Sequence, residues 1–355
     1  MVPGPVRVPE VVLAHYQLNY GSGDLEPEFL ELYHRAESNL QRLLCTHSSI
    51  AIQTGEGMIA LWGALKSCLL PGERVLSLST GLFGSGIAGM AQSLGAEVKL
   101  LELGSDQTFS DWAAIEQAIA EFHPKMITAV HCETPSGTLN PLERLGQLKQ
   151  QYGVPLLYVD AVSSIGGVPI LTDDWHIDLL LGGAQKVISA PPGMAFVAVS
   201  PAAWSVIDQV DYSGYDALKP FKTAQQQAYF PYTPYWHGLA ALNQAVELLL
   251  AEGLQNVYDR HAHVARLCRE QLQAMGLSLF PAIAAVPSPT VTAVNLPAGF
   301  SWPQFDQRLR SRGLVVGGNY GSLAGKVFRI GHMGTQADPI LLQQALDIIK
   351  DTLAG

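Results

Sequence analysis

The sequence predicts an α/β protein, with a large unit on a mainly parallel sheet flanked by helices and a small C-terminal α+β unit. Short β-branched runs alternate with longer helical patterns through the first two-thirds of the chain. Strand–helix–strand repetition of that kind favours a parallel sheet with helices on both faces. Some runs are apolar throughout, as in Pro155-Leu156-Leu157-Tyr158-Val159, which suits a strand buried on both sides. The 355 residues suggest about two domains at roughly 150 residues each.

Taken in order, strands are expected over residues 75–79, 98–103, 126–131, 156–160, 179–182 and 195–200. Amphipathic helices fall between several of them, over 84–94, 111–122 and 142–152. A long helical pattern runs from 237 to 275 and is interrupted near Gly253. The remainder supplies strands over 290–296 and 327–330. Its last helix opens at Asp338-Pro339, a capping residue followed by proline at the first helical position. The boundary is placed near 255, giving a large unit of 1–254 that includes the N-terminal segment and a small unit of 255–355.

Hydrophobic residues make up 48% of the chain and charged residues 15%, enough apolar material for a large core. The net charge of −10 argues against a nucleic-acid partner, because phosphate backbones attract clustered Lys and Arg. Arg308, Arg310 and Arg312 form the densest basic group and read as a solvated helix end. Cys45, Cys68, Cys132 and Cys268 lie far apart with no C-x-x-C pair. Neither a disulfide framework nor a zinc knuckle is indicated, and no metal is expected. The first residues lack the apolar stretch of a signal peptide. No run of 18 apolar residues exists to cross a bilayer. A cytoplasmic globular protein without a membrane partner is therefore expected.

In open parallel sheets ligands collect at the carboxyl ends of strands. Asp160 closes an apolar strand, Glu133 and Thr134 follow another, and Lys186 follows a third in a setting almost without charge. Poor hydration favours the neutral amine of Lys186, the form that attacks a carbonyl. An aspartate on a neighbouring strand can hold a protonated ring nitrogen. Those are the parts a pyridoxal site requires.

Three ordered segments then carry a resemblance. They are His131-Cys132-Glu133-Thr134-Pro135-Ser136-Gly137-Thr138, Val159-Asp160-Ala161-Val162-Ser163-Ser164, and Gly183-Ala184-Gln185-Lys186 with Ala190-Pro191-Pro192-Gly193. Together with Lys326-Val327-Phe328-Arg329-Ile330-Gly331 they resemble the class V, fold type I, aminotransferases, in particular the alanine–glyoxylate and serine–glyoxylate branch. The resemblance implies that Lys186 carries the cofactor as an aldimine and later moves a proton, with Asp160 on the ring nitrogen. Thr134 is implied beside the ring's phenolic oxygen, Val162 on one ring face and Phe83 on the other. Gln185 flanks the lysine, and Arg329 grips the substrate carboxylate with its planar fork. An amine donor, a small 2-oxo acid such as pyruvate or glyoxylate, and a homodimer follow from the same resemblance.

One turn departs from most of that family. Where a hydroxyl usually helps backbone amides cradle the cofactor phosphate, the chain reads Gln53-Thr54-Gly55-Glu56-Gly57-Met58. Two unit charges about 4 Å apart repel by about 4 kcal/mol at an effective dielectric near 20. An inward Glu56 would thus weaken phosphate binding roughly 100-fold or more. A 5′-hydroxyl could instead donate to it. In this feature the motifs are similar to the pyridoxamine–pyruvate branch, so the cofactor is expected as pyridoxal 5′-phosphate or as unphosphorylated pyridoxal. A Glu56 turned to water, favoured by the helix dipole, is the opposing expectation. Phe230 is aligned with the position from which glyoxylate enzymes send a tyrosine to the neighbouring subunit's phosphate.

Other chemistries stay open or weaken. A β-lyase needs no residue beyond the lysine. Desulfuration needs a cysteine on a mobile loop, whereas Cys268 falls in a helical pattern. A non-catalytic vitamer-binding protein would not need Lys186. Gly81 to Gly86 lacks dinucleotide spacing, and His261 and His263 are set on different helix faces. His332 is a candidate for supporting Arg329.

Overall fold

The computed structural model describes residues 1–354. Its main sheet has seven strands: β1 (Ser49–Thr54), β2 (Arg74–Ser79), β3 (Glu97–Glu102), β4 (Met126–Val130), β7 (Leu156–Asp160), β8 (Leu179–Gly183) and β9 (Met194–Val199). The short pair β5 (Cys132–Glu133) and β6 (Thr138–Leu139) hangs from the end of β4. In space the order is β1-β9-β8-β7-β4-β2-β3. β9 runs antiparallel to both β1 and β8, and every other pairing is parallel.

The central strands β4, β7, β8 and β9 are buried at every position, as their apolar runs require. Helices cover the sheet. Three of them, Leu82–Ser93, Trp112–Phe122 and Glu143–Gln151, alternate with the parallel strands. Asp111 caps the second by accepting the Ala114 amide at 3.0 Å. One strand of the main sheet was not anticipated: β1 is short and ends in polar Gln53 and Thr54, so its pattern is weak, yet Gln53 is fully buried between strand and loop.

The long pattern after residue 236 is two helices, Trp236–Glu252 and Leu254–Ala274, parted by Gly253 with φ +86°. The second helix serves two cores. Val257 packs into the large one, whereas Val264, Cys268 and Leu272 pack into a smaller one with Phe305, Phe328 and Leu346. The antiparallel pair β10 (Val291–Asn295) and β11 (Val327–Gly331) forms the sheet of that smaller core, and Pro339–Ala354 closes it.

The N-terminal segment spans both cores: Val12 is buried in the large one, and the first residues reach the small one. Met1 packs on the small core, its carbonyl accepts the Gly331 amide, and Val2 exchanges hydrogen bonds with the Gln336 side chain at 3.1 and 2.7 Å. Edge pairing along β11 satisfies backbone groups that composition alone cannot assign. Phe230 is also not where the alignment put it: it is buried in its own chain's core against Phe29 and Tyr33. The exposed aromatic of that stretch is Tyr229.

Leu157 is fully buried in β7. Leu157→Ala is expected to cost about 2–5 kcal/mol, the transfer term plus the cavity left behind, read as a lower denaturation midpoint at unchanged slope.

Candidate active site

Because β1 and β8 both run antiparallel to β9, the carboxyl ends of β1, β2, β4, β7 and β8 share one edge of the sheet. The loops that leave them converge. Glu56, Gly57, Phe83, Thr134, Asp160, Val162, Gln185 and Lys186 line one cavity of about 300 Å³. Gly55 and Arg329 stand outside its lining. Gly55 binds the Gly193 carbonyl at 2.9 Å and so holds the turn against the lysine loop. Gly57 permits close approach, since a Cβ there would lie 3.0 Å from a Val162 methyl.

Lys186 makes no ion pair among the described residues. Burial, and then the nearby Arg329 guanidinium, bring its amine down to about 8. Its Nζ donates to the Pro3 carbonyl. The residues around Pro3 form a strap that sequence reasoning missed. The Val6 amide donates to the Gln185 carbonyl at 3.1 Å. Gly4 has φ +86°, and a Cβ on it would lie 3.2 Å from the Lys186 Nζ. The clue in the sequence was Pro3-Gly4-Pro5, a turn signal with no reason to be tied to residue 186.

Asp160 is buried, and burial raises its carboxyl to about 6, with the Val162 amide at 2.9 Å acting the other way. Among the described residues only that amide donates to the carboxylate. Thr134 shares a hydroxyl hydrogen bond with Ser163. Glu133 is fully buried, and burial raises it to about 7. Its two oxygens accept the Phe83 amide at 2.9 Å and the Gly84 amide at 3.2 Å. It therefore clamps the start of helix Leu82–Ser93, satisfying orphan amides and fixing the backbone that carries the Phe83 ring. The sequence marked Glu133 by its position at a strand end but gave it no task.

Arg329 is 4% exposed, and its Nε donates to the Gly318 carbonyl at 2.8 Å. His332 does not support it: its ring nitrogens bond Thr292 at 2.8 Å and the Pro289 carbonyl at 2.9 Å. His131 bonds Ser164 at 2.9 Å, and burial drives it down to about 3, so it is a neutral structural residue.

At the departing turn, Glu56 combines both expectations. It is exposed, yet it lines the cavity and caps helix Gly57–Cys68, with Oε1 accepting the Met58 amide at 2.9 Å. The Gln185 side chain reaches its other oxygen at 3.4 Å. Among the described residues the Gln185 Oε1 is buried with no partner.

A slot with an aromatic at Phe83, a branched aliphatic at Val162, a buried carboxyl with acceptor capacity to spare and a desolvated lysine fits a B6 aldehyde ring. The N-terminus of helix Gly57–Cys68, where an anion would be favoured, already carries the Glu56 carboxylate. Fold and site together define a pyridoxal-dependent enzyme. The Aminotransferase class-V family model matches residues 8–328, and the chain belongs to that family. It is 35% identical over 342 residues to an uncharacterized aminotransferase of Methanocaldococcus jannaschii, covering 94% of this chain and 87% of the relative. It is 32% identical over 337 residues to the pyridoxamine–pyruvate transaminase of Mesorhizobium japonicum, covering 91% and 83%. The crystal structure of an alanine–glyoxylate aminotransferase from Nostoc sp. superposes with a TM-score of 0.95 at 29% identity, over 99% of this chain and 94% of that one.

Two outcomes test the site's electrostatics. Capture of added pyridoxal, followed by absorbance, should rise with pH through about 8 and then level off; an ordinary lysine would keep gaining until about 10.5. Glu133, raised from 4.5 to about 7, contributes stability that is complete below about 4.5 and lost as pH rises through 7. Glu133→Gln should remove that fall, on the order of 3 kcal/mol at 1.36 kcal/mol per pKa unit, in denaturation curves taken between pH 4.5 and 8.

Proposed function

We propose that this aminotransferase exchanges an amino group between unphosphorylated pyridoxamine and pyruvate, with glyoxylate as a second small acceptor. The observation that carries this reading is Glu56 on the N-terminus of helix Gly57–Cys68, where its carboxylate accepts the Met58 amide and faces the cavity. A phosphate brought to that helix end would meet like charge, whereas a hydroxyl could donate to Glu56 or to the unpartnered Gln185 oxygen. The similarity to the Mesorhizobium japonicum enzyme supports the same assignment.

The bound B6 ring supplies the electron sink that makes the substrate Cα proton removable. In this reading the protein's residues do the rest. Lys186 presents a largely desolvated amine that would hold the aldehyde and could carry the proton to and from the substrate carbon. Asp160 would hold a protonated ring nitrogen. Phe83 and Val162 would hold the ring between them, and Thr134 would bond its phenolic oxygen. Arg329 holds the acceptor's carboxylate so that the transferred group faces Lys186.

The reading extends to a homodimer and a cytoplasmic setting, the latter supported by four unpaired cysteines. It divides the chain into a large unit, 1–254, and a small unit, 255–355, supported by the two separate cores.

Competition between pyridoxal and pyridoxal 5′-phosphate for the purified protein tests the assignment. Pyridoxal should bind roughly 100-fold tighter, and Glu56→Ser should erase or reverse that preference. Tight retention of the phosphorylated form by the unaltered protein would instead make it a phosphate-retaining alanine– or serine–glyoxylate aminotransferase.

A further inference from the structure

The loop that follows residue 316 builds a mount for the Arg329 guanidinium. Gly317 pairs with Arg329 through both backbone groups, at 2.9 and 2.7 Å. The Gly318 carbonyl takes Nε at 2.8 Å. The Asn319 side chain donates to the Pro135 carbonyl at 2.8 Å and accepts the Tyr320 amide at 3.0 Å, so the loop is fastened to the turn that carries Thr134.

The result is a tyrosine in a defined place. The Tyr320 ring centroid lies 4.8 Å from the guanidinium carbon, while Tyr320 itself is 57% exposed and Arg329 only 4%. Among the described residues no carboxylate pairs with Arg329, and the polar side chain beside its guanidinium is Tyr320. A buried guanidinium beside a tyrosine ring, its Nε engaged and its terminal fork without a carboxylate, is arranged to receive one.

We propose that Tyr320 is a positioning residue for the carboxylate of the 2-oxo acid, acting through Arg329. Its ring fixes the plane of the fork by cation–π attraction and keeps water from that face, which strengthens the pairing with an incoming anion. A guanidinium fork is matched to one carboxylate of the acceptor. The proposal rests on the reading above that Arg329 is the carboxylate grip.

The test uses the full chain with Tyr320→Ala, Tyr320→Phe and Arg329→Gln. Calorimetric titration with lactate, a non-reacting monocarboxylate, gives a readout independent of turnover, and steady-state kinetics with pyruvate give the second. Tyr320→Ala should weaken lactate binding roughly tenfold and raise the pyruvate KM by a similar factor, with kcat and pyridoxal affinity within about twofold. Tyr320→Phe should stay within about twofold on all four measures. The proposal is overturned if Tyr320→Ala binds lactate like the unaltered protein. It is equally overturned if kcat and pyridoxal affinity fall in step with KM, which marks a general structural loss. Arg329→Gln separates the two levels: lactate affinity unchanged in that variant removes the carboxylate grip itself, whereas affinity lost there but kept in Tyr320→Ala removes only the role of Tyr320.

Discussion

A lysine amine held in a poorly hydrated cleft without a counter-ion is the constraint on which the site depends. A charged ammonium there keeps the full penalty of leaving water, so its proton is held loosely and the amine is brought down to about 8. The surroundings are consistent with that demand. Nζ donates to the neutral Pro3 carbonyl, and among the charges around it the cationic Arg329 acts most strongly, with Asp160 and Glu56 acting the other way. Placing a carboxylate in contact with Nζ would restore the ordinary protonation state and remove the nucleophile. Asp160 instead spends its charge on the Val162 amide and on whatever donor enters the cavity.

The same cleft is closed by parts of the chain distant in sequence. The strap of residues 1–6 touches Gln185 and Lys186 on one side and Gly331 and Gln336 on the other. A small cluster of Val6, Cys132, Val187, Val291 and Met333 seals the seam beneath. Positioning of the lysine and of the arginine is therefore not independent: one backbone segment is bonded to the loop of the first and to the strand of the second. Glu133 adds a second such link, since a buried carboxylate at the start of one helix fixes the ring-bearing residue on the other side of the cavity.

Most of the scaffold was legible because its residues obey local rules. The strands from Leu156 and Leu179 are apolar at nearly every position, and the helix after Asp111 carries its own cap. Lys186 and Asp160 stood out because charge is rare around them. What escaped was determined by tertiary contact. β1 has too mixed a pattern to declare itself, and its register comes from β9. Helix Leu254–Ala274 is continuous in sequence but feeds two cores, so composition shows no break there. Tyr320 reads as an ordinary exposed loop aromatic, and only the folded chain lays it over Arg329. Phe230 is drawn inward for the same reason: a large apolar ring near Phe29 and Tyr33 packs with them in the core.

Borohydride reduction of the protein after loading with pyridoxal, followed by peptide mapping, tests the central claim most directly. A pyridoxyl mass on the peptide bearing Lys186, absent from Lys186→Ala, is the predicted result. A label spread over surface lysines such as Lys219 and Lys222, or no label at all, would contradict it.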